Sequence, residues 1–302
     1  MYRENRCIFC SIKSSDFVRQ KSNFVSFSTS KSWVILSSIE QRIKEKIEQV
    51  GTPLKDWDVR INYGIKTGFN EAFIIDGAKR RQLIAEDPKS DELIRPILRG
   101  KDIKRYRHDF ADKWVINTHN GIKEKAIKPI NINDYPAIKH HLDRHYPELV
   151  NRADKGDTPY NLRNCAYMDD FSKQKIVWGN LNLDASYAIA PEGFFVSAPC
   201  PLITPASMYL LAILNSKLAD FYIRVLAKKR NGGYVEYKPM FIERLPVPAI
   251  PEKDQKKLTS LVEKRNITKV DNELKSVDAT IDNLIYDMYG LTGEEIHFID
   301  FQ

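Results

Sequence analysis

The spacing of apolar residues changes period several times along the chain. Ile39, Ile43 and Ile47 recur at every fourth position after Ser37, and Glu40 stands three residues beyond that serine. This predicts a helix that opens on a capping box, with Gly51 placed to stop it. From 56 to 64 the period falls to two: Trp57, Val59, Ile61 and Tyr63 share one face of a strand. The segment AFIID (72–76) follows, and the turn from Gly64 to Gly68 predicts a hairpin between the two, with Lys66 and Thr67 at its polar tip.

Further along, the pattern predicts helices over 79–85, around 91–95 and over 136–146, the last with Pro136 near its start. Strands are expected at 113–118, 175–181, 186–190 and 194–198, the last two separated by the Pro191–Gly193 turn. Residues 151–164 are polar and rich in turn formers. Thr204 and Pro205 are read as the cap and first turn of a helix whose apolar face includes Leu210, Leu214, Leu218, Phe221 and Val225. After it, Asn231, Gly232 and Gly233 suit a tight turn that needs positive φ. Pro239, Pro246, Pro248 and Pro251 suggest a stiff linker. Beyond them Val270, Leu274, Val277, Ile281, Leu284 and Met288 alternate spacings of four and three, a heptad-like seam. The fold class expected is α+β: a β-rich core with packed helices and a C-terminal heptad-like helical segment. The expected divisions are short β segments over 1–36, a main domain over 37–250 and helices over 251–302.

The formal net charge is +7 in 302 residues. Its distribution says more than its size. Arg99, Lys101, Lys104, Arg105 and Arg107 face a single Asp102 within nine residues, and Tyr106 stands among them. Arg224, Lys228, Lys229, Arg230 and Lys238 face a single Glu236 in a second window. Such clusters point to a polyanionic partner, with nucleic-acid backbone the leading candidate and solvated surface loops the bland one. No run of eighteen apolar residues occurs, so a membrane span is not expected, and the cytoplasm is the default location.

Motifs for chemistry are incomplete. Gly64 and Gly68 lack the strand-to-helix context of a methyl-donor loop, and GIKTG is too short for a phosphate-binding P-loop. Asp157–Thr158–Pro159–Tyr160 approaches the motif that holds a flipped adenine but has threonine where the first proline belongs. Asp91 with Asp102–Ile103–Lys104 fits a loose nuclease template that many lysine-rich chains also satisfy. His141 and His145 are spaced for zinc, but Leu142 replaces the glutamate of a zinc protease. Cys7 and Cys10 form a lone C-x-x-C, with Cys165 and Cys200 far away. No catalytic, cofactor-binding or metal-binding residue is therefore assigned to this chain.

Several strings in order resemble the TaqI-like C-terminal specificity domain of type IIG restriction–modification proteins and related adenine-specific DNA methyltransferases. They are GIKTGFNEAFIID (64–76), ILRGKDIKRY (97–106), RADKGDTPYNLRNCAY (152–167), QKIVWGN (174–180), LLAILNSKLADFYIRVLAKKRNGGYVEYKP (210–239), FIERLPVP (241–248) and IDNLIYDMYGLTGEEI (281–296). The resemblance spans roughly residues 33–300. It implies sequence-specific recognition of double-stranded DNA by residues 37–250, with methylation and cleavage carried by a catalytic domain that uses S-adenosylmethionine and Mg²⁺. Residues 1–36 would then lead from such a region. The opening Met1, in a stretch resembling mid-protein sequence, suggests a truncated or split gene, or a piece of a longer chain.

On this reading Lys66, Lys101, Lys104, Arg105, Arg107, Lys228, Lys229 and Arg230 are the phosphate candidates. Arg107, Asn161, Arg163, Asn231 and Tyr234 are the base-reading candidates. Thr67, Gly232 and Gly233 complete the two tips. Two other classes stay open: a diverged methyltransferase or nuclease, and a protein-interaction module that docks through the 270–288 helix.

Overall fold

In the computed structural model, which describes residues 36–301, Ser37 caps the helix Ser38–Val50. The Ser37 amide donates to Glu40 Oε2 at 2.7 Å, and the Glu40 amide donates back to the Ser37 hydroxyl at 3.4 Å. Ile43 and Ile47 are buried beneath it. Gly51 ends this helix without a left-handed turn (φ −103°). Glycine is needed there for space, because a Cβ would lie 2.4 Å from the Pro246 carbonyl carbon. That close approach pairs Thr52–Pro53 with Pro246–Val247. The expected proline linker is thus partly a buried strand, and Pro239 opens a short helix, Pro239–Ile242. The N-terminal β segments and the Cys7–Cys10 pair lie outside the described residues.

Among the described residues two four-stranded sheets form the centre. The first has the order Tyr187–Ala190, Lys175–Trp178, Pro201–Thr204, Arg60–Tyr63. The second has the order Phe195–Val196, Ile94–Leu98, Lys113–Ile116, Ile74–Asp76. Alternate residues of the first sheet serve different cores. Ile176, Trp178, Tyr187 and Ile203 face a helical core, while Val177, Ala188 and Leu202 face the second sheet. Burial on both faces explains why the Lys175–Trp178 strand is apolar without interruption after its lysine. The fold class is α+β, as the sequence pattern predicted.

The expected hairpin does not form. Arg60–Tyr63 pairs with Pro201–Thr204, and Ile74–Asp76 pairs with Lys113–Ile116 in the other sheet. The cause is local. Asn70–Phe73 coils into one helical turn that buries Ala72 and Phe73, so the chain cannot fold straight back. Gly64 presses against Val196, whose oxygen would stand 2.2 Å from an added Cβ, and Ile65 then bridges to Ser197. The stretch after Tyr63 therefore crosses from one sheet to the other. Similarly, the two strands flanking the Pro191–Gly193 turn belong to different sheets.

Three expected helices are also revised. Residues 94–98 form a strand, in keeping with two isoleucines around Pro96. The helix expected over 136–146 divides into Pro136–Asp143 and Tyr146–Asn151. Thr204 ends a strand; Ser207 caps Met208–Leu214 and Ser216 caps Lys217–Leu226, so the long apolar face is shared by two helices. At the C-terminus, Glu252–Ile267 and Asp271–Met288 pack on each other and on this pair. Val277, Ile281 and Ile285 are buried at four-residue spacing, whereas Val270, the first position of the heptad-like seam, is exposed. No helix among the described residues is long and apolar enough to cross a membrane.

Candidate nucleic-acid interface

The strand registers bring several loops to one end of the two sheets. In the first sheet Tyr63 lies opposite Pro201, and Trp178 opposite Tyr187. In the second, Val196 lies beside Leu98. The Ile65–Ser197 bridge joins these ends, and the Ser197 amide donates to the Leu98 carbonyl at 2.9 Å. The loops after Tyr63, Leu98, Trp178 and Val196 therefore leave from a common edge. Gly100 in the first basic window meets this edge: a Cβ there would lie 3.3 Å from Cys200 Sγ and 4.0 Å from the Gly179 Cα. From Gly179 the chain runs into Asn180–Asn182, which pairs with the second window. Asn180 accepts the Tyr237 amide at 3.0 Å, and Leu181–Asn182 pairs with Val235–Glu236.

Within the first window the cations divide into tied and untied. Arg99 grips Asp102 with two bonds, Nε to Oδ2 at 2.8 Å and Nη2 to Oδ1 at 2.9 Å. Burial alone would raise the Asp102 carboxyl, but the Arg99 bonds hold it below the usual carboxylate range. Asp91 pairs instead with Arg80 at 2.7 Å, so the two carboxylates of the nuclease template serve separate arginines. Arg105, expected at phosphate, turns inward. Its Nη1 meets Asp278 Oδ2 at 2.8 Å, and Nε and Nη2 reach the Asn215 carbonyl at 3.2 and 3.0 Å. These bonds fasten the window to the C-terminal helices. Tyr106 is buried at positive φ (65°), with the guanidiniums of Arg105 and Arg265 5.3 and 4.7 Å from its ring centre. Lys101, Lys104 and Arg107 are exposed. Arg107 lies 3.4 Å from Asp109, and Lys101 and Lys104 have no carboxylate within ion-pair distance among the described residues.

In the second window Lys228 and Lys229 are likewise exposed and without such a partner among the described residues. Arg230 Nε and Lys238 Nζ share Glu236, at 2.6 and 2.8 Å. These bonds hold the Glu236 carboxyl below its usual range. Gly232 and Gly233 have φ of 76° and 80°, the left-handed conformation that Asn231–Gly232–Gly233 predicted. Asn180, Leu181, Lys229, Arg230, Asn231, Glu236 and Lys238 line a hollow of about 610 Å³. Asn180 Oδ1 is buried and has no hydrogen-bond partner among the described residues.

Lys66 and Arg163, far apart in sequence, meet at Asp154 with contacts of 2.8 and 3.2 Å. With Tyr63, Asn164, Tyr167 and Pro199 they border a hollow of about 370 Å³. Two other candidates are not available at the surface. Thr67 is buried: its hydroxyl donates to Asn70 Oδ1 at 2.6 Å, and its carbonyl accepts from Arg152. Asn161 is buried as well, donating to the Ile130 carbonyl at 2.9 Å and accepting from the Thr158 hydroxyl at 2.5 Å. Their polarity serves loop folding, which residue type alone does not distinguish from base reading. The Asp157–Tyr160 string is part of the same turn, with the Asp157 amide donating to Asn120 at 2.8 Å. His141 is buried against the Ala72 carbonyl at 2.9 Å. The sequence reading missed Tyr63, Asn180, Leu181 and Leu183. Only pairing between distant segments brings them to this edge.

The family model for the TaqI-like C-terminal specificity domain matches residues 95–247, half of the chain. The chain belongs to that family. The specificity-domain match takes in the first window, the Trp178–Asn182 turn and the whole of the second window. Among curated proteins the chain is 24% identical over 283 residues to the type II methyltransferase M.BstVI of Geobacillus stearothermophilus, covering 90% of this chain and 47% of that protein. It is 18% identical to the type II methyltransferase M.PaeR7I of Pseudomonas aeruginosa, covering 87% and 44%. Among solved structures it resembles the type IIL restriction–modification enzyme MmeI in complex with DNA, with a TM-score of 0.64 at 13% identity, covering 82% of this chain and 35% of that one. The type IIG restriction endonuclease BpuSI gives 0.50 at 14% identity, covering 84% and 33%. The chain thus spans about half the length of the curated relatives it matches.

Proposed function

We propose that this chain is the DNA target-recognition part of a type II restriction–modification protein. It would position a duplex for adenine methylation or cleavage by another domain. The observation that carries this reading is the approach of Gly100, in the first basic window, to Gly179, next to the Asn180–Asn182 stretch that pairs with the second window; both windows carry exposed lysines without an ion-pair partner among the described residues. Family membership supports it, as does the likeness to a restriction–modification enzyme solved with DNA.

On this reading Lys101, Lys104, Arg107, Lys228 and Lys229 bind phosphates and set register, and Lys66 extends the contact toward Arg163. Arg163, Arg230, Asn231 and Tyr234 face the bases. Arg230 is held by Glu236, so its fork meets a base edge in a fixed orientation. Arg105, Thr67 and Asn161 hold the loops in place. The partner domain would supply S-adenosylmethionine and Mg²⁺ chemistry. Among the described residues no three His, Cys, Asp or Glu side chains converge as a metal site.

The test is anisotropy of a labelled duplex titrated with the chain at two salt concentrations. Binding at about 50 mM salt that weakens by a factor of ten or more toward about 200 mM is the expected result. No binding at the lower concentration contradicts the proposal.

A further inference from the structure

The exposed end of the second window is apolar as well as cationic. Leu181, in the short strand Leu181–Asn182, and Leu183, in the bend just after it, are 47% and 49% exposed, and Tyr234 is 41% exposed. Val235 pairs with Asn182, so Tyr234 and Leu183 are the residues that enter and leave the same end of this antiparallel pair. An added Cβ on Gly233 would lie 3.9 Å from Leu183 Cδ2, and one on Gly232 3.6 Å from the Tyr234 ring. Leu183 and Tyr234 thus stand together at the end of a two-stranded ribbon, with small glycines beside them.

The ribbon is firmly backed. Val235 and Tyr237 are buried, and the Trp178 indole donates to the Tyr237 carbonyl at 2.6 Å. Arg224 donates to the Leu183 carbonyl and reaches Asp184 at 3.0 Å. An anchored apolar pair flanked by Lys228 and Lys229 suits one occupant. Burial of a protein partner's apolar face would leave these lysines desolvated, whereas a base step offers an apolar stack with phosphates on both sides.

We propose, resting on the reading of the chain as a duplex-binding module, that Leu183 and Tyr234 form a wedge that enters a base step and unstacks it. The lysines seat the flanking phosphates, and the bases close over the leucine and tyrosine. Distortion of the duplex is then a task of this ribbon itself, separate from register setting by the cations.

Partial unstacking unwinds DNA, so it can be read without knowing the target sequence. A closed circular plasmid is relaxed by a topoisomerase in the presence of the chain, and its topoisomers are compared after protein removal. The wild-type chain should shift the distribution. Leu183→Ala with Tyr234→Ala should abolish the shift and weaken duplex binding about tenfold, with the salt dependence unchanged. Leu183→Met with Tyr234→Phe should keep the shift, and Lys228→Ala with Lys229→Ala should reduce the salt dependence. A wild-type chain that binds the duplex without unwinding it overturns the wedge and leaves the recognition reading intact. So does a double-alanine variant that unwinds and binds like the wild type. Failure to bind duplex at low salt rejects the recognition reading and the wedge together.

Discussion

At the scale of single residues, charge count and charge availability part company. Arg105 sits in a run of cations that looks uniform in sequence, yet it is bonded to Asp278 and Asn215 from the C-terminal half, and no local signal announces those partners. Lys101 and Lys104, four and one positions before Arg105, remain exposed. The same network contains Asp282, which is buried, accepts the Lys217 amide at 3.0 Å and stands 4.0 Å from Arg105. Burial pushes its carboxyl up to about 6, against an ordinary value of 3.8. The folded state therefore holds this proton where the unfolded chain has lost it. The stabilising contribution is full below about pH 4 and is lost as pH rises through about 6. Asp282→Asn should flatten stability between these limits, and the difference from wild type should approach about 3 kcal/mol at neutral pH as an upper bound. Urea unfolding at pH 4.5 and 7.0 measures it. Equal pH dependence in both proteins would count against this account of the buried carboxyl.

At the scale of elements, local signals were readable and pairings were not. Ser37 and Glu40 announce their helix because the capping box lies within four residues. Gly232 and Gly233 announce their turn because only glycine takes that backbone conformation cheaply. The hairpin expected between 56–64 and 72–76 failed because strand choice is decided by packing with 113–116 and 201–204, which are remote in sequence. Pro201–Thr204 itself escaped notice, since Thr204–Pro205 resembles a helix start while Ser207 is the true cap. Gly64 is the element-level test. Its φ is ordinary, and what it provides is space against the Val196 carbonyl. Gly64→Ala should cost about 1–3 kcal/mol by forcing the crossing segment away from the second sheet. It should also loosen the loop that carries Lys66. Thermal unfolding and duplex affinity of the variant should both fall; a variant as stable as wild type would mean that the crossing is loosely packed.

At the scale of the whole molecule, the sequence pointed to a cationic, DNA-recognising α+β chain but could not tell whether its windows faced one ligand. That answer lies in strand order. The Trp178–Gly179 turn stands beside Gly100 because Lys175–Trp178 pairs centrally in the first sheet while the chain around Ser197 links that edge to Leu98 in the second. Lys66 and Arg163 join through Asp154 in the same way, by contact between segments about a hundred residues apart. If the two windows engage one duplex, each should release its own share of condensed counterions. The deciding measurement is the slope of log affinity against log salt for a duplex of about 30 base pairs. It compares wild type, Lys101→Ala with Lys104→Ala, Lys228→Ala with Lys229→Ala, and all four together. Each pair should reduce the magnitude of the slope by about 2, and the four together by about 4. A pair whose loss leaves both slope and affinity unchanged would show that its window does not touch the DNA, and would contradict a single interface built from both.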